Sequence, residues 1–381
     1  MSIVKIALFA SQNIFFIIIG LFGIGFLIGF HELGHFLFCK LFGVKTPSFS
    51  IGFGPRLIQR KIGDTVFTLS AIPLGGYVEI AGSAEVGQGE QKEARSVNPD
   101  SFAAKPYYQK LLIMIGGIMF NLAFAYTAFI AICMFGLPNS PILYPFNANP
   151  IIQTIAPEGA AAQADLRVGD RIVSLDSTQF QGNTLGLLKA ISAHPGKSMQ
   201  LTIERNGTQK TIPIIIGTQQ RMGKTVGSLG VIFTMQDQPG LNPLAAVKKG
   251  IKLANSYIKQ TFLAFKHIFA KADVSSVGGP LSIIQQTIKG AEKGIKVFLA
   301  LLAIISINLA ILNLIPLPIL DGGQILFYTI ETIIRRPLPE KVRMIIHIAT
   351  WIGFLILFIY LTAQDILRME WVKSLTGMVS K

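Results

Sequence analysis

Four long stretches of the chain, residues 6–30, 111–137, 297–320 and 344–364, contain no charged residue. Each supplies the roughly 20 apolar residues with which a helix crosses a bilayer core of about 30 Å, so four transmembrane helices are predicted. A different period appears between the second and third. Short β-rich runs at 151–155, 171–175, 199–204 and 211–216 alternate with helical patterns at 160–164 and 184–192. Asn206-Gly207 lies between two of those runs, where a type I′ turn needs positive φ at both central residues. Further strand-like runs, 48–53, 57–61 and 65–72, are separated by Gly54-Pro55 and Gly63-Asp64. Over 243–271, Lys248, Lys252, Lys259 and Lys266 share one helical face, while Val247, Ile251, Ile258, Phe262, Phe265 and Phe269 line another. That pattern fits a helix lying on a membrane surface, and equally one packed on a folded domain.

Composition supports a membrane class. Of 381 residues, 51% are apolar and only 14% charged, against about 25% charged residues in soluble domains; a water-soluble globular chain and a disordered one are both disfavoured. The net charge of +14 is scattered and comes with no nucleic-acid recognition motif, so no nucleic-acid partner is expected. Its distribution instead predicts orientation. Lys40, Lys45, Arg56, Arg60, Lys61, Lys92, Arg95, Lys105 and Lys110 fall between the first two runs, and Arg335, Arg336, Lys341 and Arg343 between the last two. Both loops are expected on the cytoplasmic side, which places the long middle segment outside. Cys39 and Cys133 lie in or beside apolar runs, so no disulfide framework is expected. The first run exceeds the 7–15 apolar residues of a cleavable signal and is expected to stay as a span.

Chemistry begins at the end of the first run, with His31-Glu32-Leu33-Gly34-His35. Histidines four apart project from one helical face and can reach a single metal, while the adjacent glutamate can take a proton from a water that the metal activates. A catalytic zinc normally has three protein ligands. Asp321 is the natural third, because it closes the third apolar run within Asn313-Leu314-Ile315-Pro316-Leu317-Pro318-Ile319-Leu320-Asp321-Gly322-Gly323. Prolines there preclude a regular helix and the glycines permit close backbone approach; opened backbone at membrane depth belongs in protein or beside a wet cavity. His194, His267 and His347 are expected to be structural.

With these residues in view, the chain resembles the site-2 protease family, the intramembrane zinc metalloproteases, and in particular the bacterial type with periplasmic PDZ domains that cleaves anti-sigma factors. The resemblance rests on the His31–His35 motif, Gly52-Phe53-Gly54-Pro55, Ile72-Pro73-Leu74-Gly75-Gly76-Tyr77-Val78, Gly116 with Asn121, Gly279-Pro280-Leu281-Ser282-Ile283 and the block from Asn313 to Gly323. Pro157-Glu158-Gly159-Ala160-Ala161 followed by Leu166-Arg167-Val168-Gly169-Asp170-Arg171-Ile172 resembles a PDZ domain, which would bind an extended peptide at a sheet edge. The resemblance implies that His31, His35 and Asp321 bind Zn2+, that Glu32 is the general base and acid, and that Asn308 and Asn313 bind substrate. The chain departs from the pattern twice. Gly116-Gly117 stands where many members have Gly-Pro, and one PDZ-like domain stands where enterobacterial relatives carry two.

The expected fold is therefore a polytopic α-helical membrane protein of about four spans with a membrane-associated β element and an inserted extracytoplasmic PDZ domain of α+β type. Its parts are a first span with the zinc motif (1–42), a cytoplasmic-side β region and loop (43–110), a second span (111–137), the PDZ domain (148–218), a linker and amphipathic interfacial helix (219–295), and two last spans with the aspartate ligand (296–381). The expected function is zinc-dependent cleavage within transmembrane segments of single-span proteins, such as an anti-sigma factor or a signal-peptide remnant, at the bacterial inner membrane, with the active site toward the cytoplasm. Membrane lipid and a peptide at the PDZ domain are the other expected partners. A PDZ-bearing scaffold or chaperone with an inert metal site is the alternative; a transporter would need a polar path and internal repeats, and neither is evident.

Overall fold

The computed structural model describes residues 3–83, 98–180, 182–221, 224–271, 274 and 277–368; Lys92 and Arg95 of the first basic loop lie outside them. The chain divides into two compact units, one of residues 1–129, 254–262 and 272–381, the other of 130–253 and 263–271.

The first unit opens with α1 (Ile3–Leu41). With no proline or other helix breaker in reach, α1 continues beyond the charge-free run, so His31 and His35 lie inside a helix and not at its end. Next come β1 (Ser48–Ile62) and β2 (Thr65–Glu79), joined where Gly63 takes φ +57°. Residues 48–51 are paired on both sides: Ser48 stands opposite Val66 and Glu79, and Ile51 opposite Leu69 and Gly76. Gly52 and Gly54, at φ +86° and +83°, allow this bend because they lack a Cβ. The far arm of the hairpin is uncovered and mixed in character: Leu57 and Ile58, each 64% exposed, stand among Arg56, Arg60 and Lys61. The helix α2 (Tyr107–Phe135) follows.

The second unit is built on a six-stranded sheet. Its strands are β3 (Ala148–Ile155), β4 (Arg171–Leu175), β5 (Thr178–Gln179), β6 (Ser198–Arg205), β7 (Thr208–Ile215) and β10 (Val231–Met235), in the order β10-β3-β4-β6-β7 with β5 on β4. The short α3 (Ala160–Gln163) and the longer α4 (Thr184–Ser192) complete it, and β8 (Gly217–Arg221) pairs with β9 (Lys224–Ser228) as a separate hairpin. Asn206 and Gly207 have the positive φ that the turn predicts. Alternating residues such as Ile212 and Ile214 join Ile152, Leu187, Leu201 and Phe233 in the core. Asp170, only 1% exposed at its side chain, takes a bidentate grip from Arg205 at 2.7 and 2.8 Å. Burial pushes its carboxyl up, but the hydrogen bonds from Arg205 and the Arg167 N–H outweigh this and hold it below the usual range. The domain extends past the expected boundary at 218, because β10 pairs with β3 and buries Phe233. Polar residues in the β8–β9 hairpin interrupt the pattern that would have announced it.

The amphipathic stretch forms α5 (Pro243–Lys271). Its middle part meets α2: the Tyr126 hydroxyl donates to Asn255 at 2.5 Å, and Phe129 stacks on Tyr257 with ring centroids 5.3 Å apart. Neither reading of this helix, surface-lying or packed on the exported domain, includes those contacts. The first unit then resumes with α6 (Pro280–Glu292), α7 (Ile295–Asn313), α8 (Asp321–Ile334) and α9 (Glu340–Arg368). The third apolar run is thus not one helix to residue 320. α7 ends at Asn313, since Pro316 and Pro318 cannot donate to a helical ladder, and α8 starts at Asp321. Gly322 sits where a Cβ would come within 2.5 Å of the Leu314 carbonyl oxygen. The Gly279–Ile283 motif caps α6: Asp365 of α9 accepts from the Gly279 and Ser282 N–H groups at 3.0 and 2.9 Å. Four helical segments, Ile14–Leu41, Tyr107–Phe135, Ile295–Asn313 and Lys341–Arg368, are long and apolar enough to cross a membrane.

Candidate metal centre

Two elements far apart in sequence bring three donors to a point. His31 and His35 face the same way because they are one turn apart on α1, and Asp321 arrives from the first turn of α8. His31 Nε2 lies 3.2 Å from His35 Nε2 and 3.2 Å from Asp321 Oδ2, and His35 Nε2 lies 3.5 Å from that same oxygen. Three donors held tetrahedrally by one zinc, with bonds of about 2.0–2.1 Å, stand about 3.4 Å from one another. The triangle has that size. No other group of three His, Cys, Asp or Glu side chains among the described residues could hold a metal.

The outer partners decide which ring nitrogen carries the lone pair. His35 Nδ1 donates to the Ile113 carbonyl of α2 at 2.8 Å, leaving Nε2 free to coordinate. His31 Nδ1 lies 3.1 Å from the Asn121 amide, whose Oδ1 is buried without a partner. Amide orientation is a matter of hydrogen-bond assignment; with Oδ1 turned to the ring, Asn121 accepts from Nδ1–H and His31 too presents a bare Nε2. Asp321 Oδ2 is likewise buried with no hydrogen-bond donor. Two lone pairs and a carboxylate oxygen facing one another, with no proton among them, are the donor set of a cation site. Zinc fits these residues.

Glycines set the approach of α2. A Cβ on Gly117 would stand 2.5 Å from both His31 Cε1 and His35 Nε2, and one on Gly34 would collide with the Gly116 carbonyl. The two helices cross at backbone contact, and α2 is unbroken through Gly116-Gly117. Asn121 and Gly117 have roles that sequence reasoning did not assign; their only sequence signal was their presence in the resembling Gly116–Asn121 block.

Glu32 reaches β2, where its Oε2 accepts from the Val78 N–H at 3.1 Å. Asn313, at the end of α7, has its Nδ2 3.3 Å from His31 Nε2. Asn308 is elsewhere: its Oδ1 accepts from Thr261 of α5 at 2.9 Å. Residues five apart on a helix are rotated by about 140°, so the two asparagines cannot face the same point. Of the other histidines, His194 bonds the Ala190 carbonyl at 2.8 Å and His347 is buried beside Gln324.

The model of peptidase family M50 matches residues 19–360. The chain belongs to that family. Relatives across bacteria agree over nearly the full length. Zinc metalloprotease RasP of Geobacillus kaustophilus is 28% identical over 90% of this chain and 95% of its own. A Clostridium perfringens protein with a zinc metalloprotease name is 30% identical over 92% and 98%, and one from Campylobacter jejuni is 32% identical over 91% of each. Among solved structures, the PDZ domain of an SdrC-like protein from Listeria monocytogenes matches 23% of this chain and 88% of its own, at 15% identity and a TM-score of 0.20. As a member of family M50, the site-2 proteases, the chain is a zinc metalloprotease, and the alternative of a scaffold with an inert site falls away.

Proposed function

We propose that this M50 protease cleaves peptide bonds within the membrane-embedded segments of single-span proteins, with His31, His35 and Asp321 holding zinc and Glu32 moving the proton. One observation carries the reading: a complete donor triangle has its two histidines on a helix apolar enough to span a bilayer and its aspartate in the first turn of α8, beside a strand edge whose N–H already points at Glu32. Zinc, when bound, supplies Lewis-acid polarisation and makes water nucleophilic near neutral pH. The side chains do the rest. Glu32 takes the proton of the attacking water on its carboxylate and passes it to the leaving nitrogen. Asn121 and the Ile113 carbonyl keep both imidazoles in register.

A transmembrane helix must open before its peptide bond can react, and a strand edge offers it new partners. Residues 76–79 form such an edge, paired on one side with 48–51. A substrate strand laid against it competes with Glu32 for the Val78 N–H, so pairing would also free the carboxylate. The exposed Leu57 and Ile58, flanked by Arg56, Arg60 and Lys61, suit an element at the lipid–water boundary, apolar side chains in and cations out. Asn313, whose amide lies 3.3 Å from His31 Nε2, would donate to a substrate carbonyl, whereas Asn308, bonded to Thr261, would meet substrate away from the metal. The inner-membrane location, the cytoplasmic-facing site, the PDZ character of the β-rich domain with its peptide ligand, and substrates such as an anti-sigma factor or signal-peptide remnant all belong to this proposal.

The test is cleavage of a single-span protein by the reconstituted full chain, with the products mapped by mass. New termini within the apolar segment, absent for Glu32→Gln, are the expected result. Cuts confined to soluble flanks would overturn intramembrane cleavage while leaving the protease itself intact.

A further inference from the structure

A second polar cavity lies apart from the metal centre, where α2 begins and α8 ends. It has a volume of about 300 Å³ and is lined by Tyr107, Lys110, Tyr328, Thr332, Arg335 and Arg336, together with Glu331. None of the cations of Lys110, Arg335 and Arg336 forms an ion pair within 4.0 Å among the described residues; the Lys110 ammonium is held over the faces of Phe102 and Tyr328 at 5.8 and 5.9 Å and feels the Glu331 carboxylate at longer range. The single carboxylate in the lining is already spent. Glu331 Oε1 accepts from the Leu338 N–H at 3.0 Å and lies 3.5 Å from the Arg343 guanidinium, which cancels its charge.

Three positive charges around one cavity are a phosphoryl-anion site; the hydroxyls of Tyr107 and Thr332 line it but donate their protons within the protein, to Thr329 Oγ1 and the Tyr328 carbonyl. Its place in the fold identifies the source. Tyr107 is the first residue of an apolar helix of spanning length, and an aromatic hydroxyl at such an end marks the headgroup level. Ile333 and Tyr108, next in sequence to lining residues, are 75% and 57% exposed and offer apolar surface beside the cavity for acyl chains. Basic pockets between helices at the cytoplasmic boundary take anionic headgroups. We infer that this cavity binds the phosphoryl headgroup of an anionic phospholipid. The inference rests on the reading of these helices as membrane spans, not on the assignment of the metal site.

The experiment compares the full chain with the Lys110→Gln/Arg335→Gln/Arg336→Gln variant in neutral detergent, using native mass spectrometry to follow short-chain phosphatidylglycerol. A charge-matched control changes Lys189, Lys197 and Lys224, exposed residues of the β-rich domain, to Gln. With each surface cation contributing about fivefold to anionic lipid binding, the cavity variant should bind roughly a hundredfold more weakly and the control should match the wild type. Phosphatidylcholine should not compete. Displacement by inorganic phosphate at equal concentration would keep the phosphoryl site and assign it to the free ion. Equal binding by the cavity variant and wild type, or equal losses in cavity variant and control, would overturn the proposal. Should the triple variant not retain zinc, Arg336→Gln alone is read in the same way. Flotation of each protein with phosphatidylcholine vesicles separates this outcome from failure of the membrane-span reading, since a spanning protein floats whatever its lipid preference.

Discussion

Replacing Gly117 by alanine asks a single methyl group to test the geometry of the metal centre. Built on the helix, that methyl carbon would stand 2.5 Å from His31 Cε1 and from His35 Nε2 and 2.7 Å from His31 Nδ1, where ordinary contact starts at 3.4 Å. One or both rings must give way by about 0.9 Å, the difference between 3.4 and 2.5 Å. Neither can do so freely, because the Ile113 carbonyl and Asn121 hold their outer nitrogens. A misplacement near 1 Å costs on the order of 100-fold in rate, and the opened triangle should lose zinc to a chelator that leaves the wild type loaded. The helix itself should gain, since alanine is favoured over glycine in a helix interior by about 1 kcal/mol. The expected outcome for Gly117→Ala is thus a folded protein with poor zinc retention, measured by metal analysis after chelator dialysis alongside thermal melting. A variant that keeps full zinc and activity would refute the claim that glycine is there to admit the imidazoles. One that simply unfolds would refute the claim that the fold tolerates the methyl group.

Glu32→Gln should keep its zinc and lose cleavage by 10²–10⁴-fold, roughly the worth of a positioned general base, as read by metal content and peptide-bond hydrolysis on one sample. Asn121→Leu should lower zinc affinity about 10–100-fold, while Asn121→Asp, which still accepts from the His31 ring, should restore most of it; equal affinities for the two variants would remove Asn121 from the site. Asp321→Asn should leave the helices intact and release the metal, visible as zinc below one per chain. Asp170 gives a pH prediction for the β-rich domain. Its carboxyl is held below the usual value in the folded state, so its contribution is full above the unfolded pKa of about 3.9 and is lost as pH falls through the folded value. Asp170→Asn should therefore destabilise the domain by about 3 kcal/mol at neutral pH, with the gap to wild type closing below about pH 4, followed by hydrogen exchange of the β4 and β6 amides.

Elements with a periodic signature were legible from sequence. Charge-free runs announced the four apolar helices, Asn206-Gly207 announced its turn, and the spacing of His31 and His35 announced two donors on one face. Contacts between distant segments were not legible. Asn121 is 90 residues from the ring it orients, and nothing local in Gly117 reveals that histidines of another helix fill the space over it. The two asparagines of α7 look equivalent in sequence, yet the helical angle between them sends Asn308 to Thr261 and Asn313 to His31. β10 escaped notice for a related reason: its partner is β3, some 80 residues earlier, and a polar hairpin intervenes.

The last helix carries a lesson for handling the protein. Only 6% of its most apolar window is buried inside the molecule, with Ile345, Ile356 and Ile359 between 59% and 66% exposed. Its attachments are few, chiefly the Asp365 cap on α6, Arg343 beside Glu331 and over the Phe327 and Tyr328 rings, and His347 against Phe327 and Gln324. Protein packing therefore contributes little to holding α9, and the surrounding medium contributes most. A melting temperature recorded on purified material would be a joint property of the chain and its detergent, so variants can be ranked only within one solubilising condition.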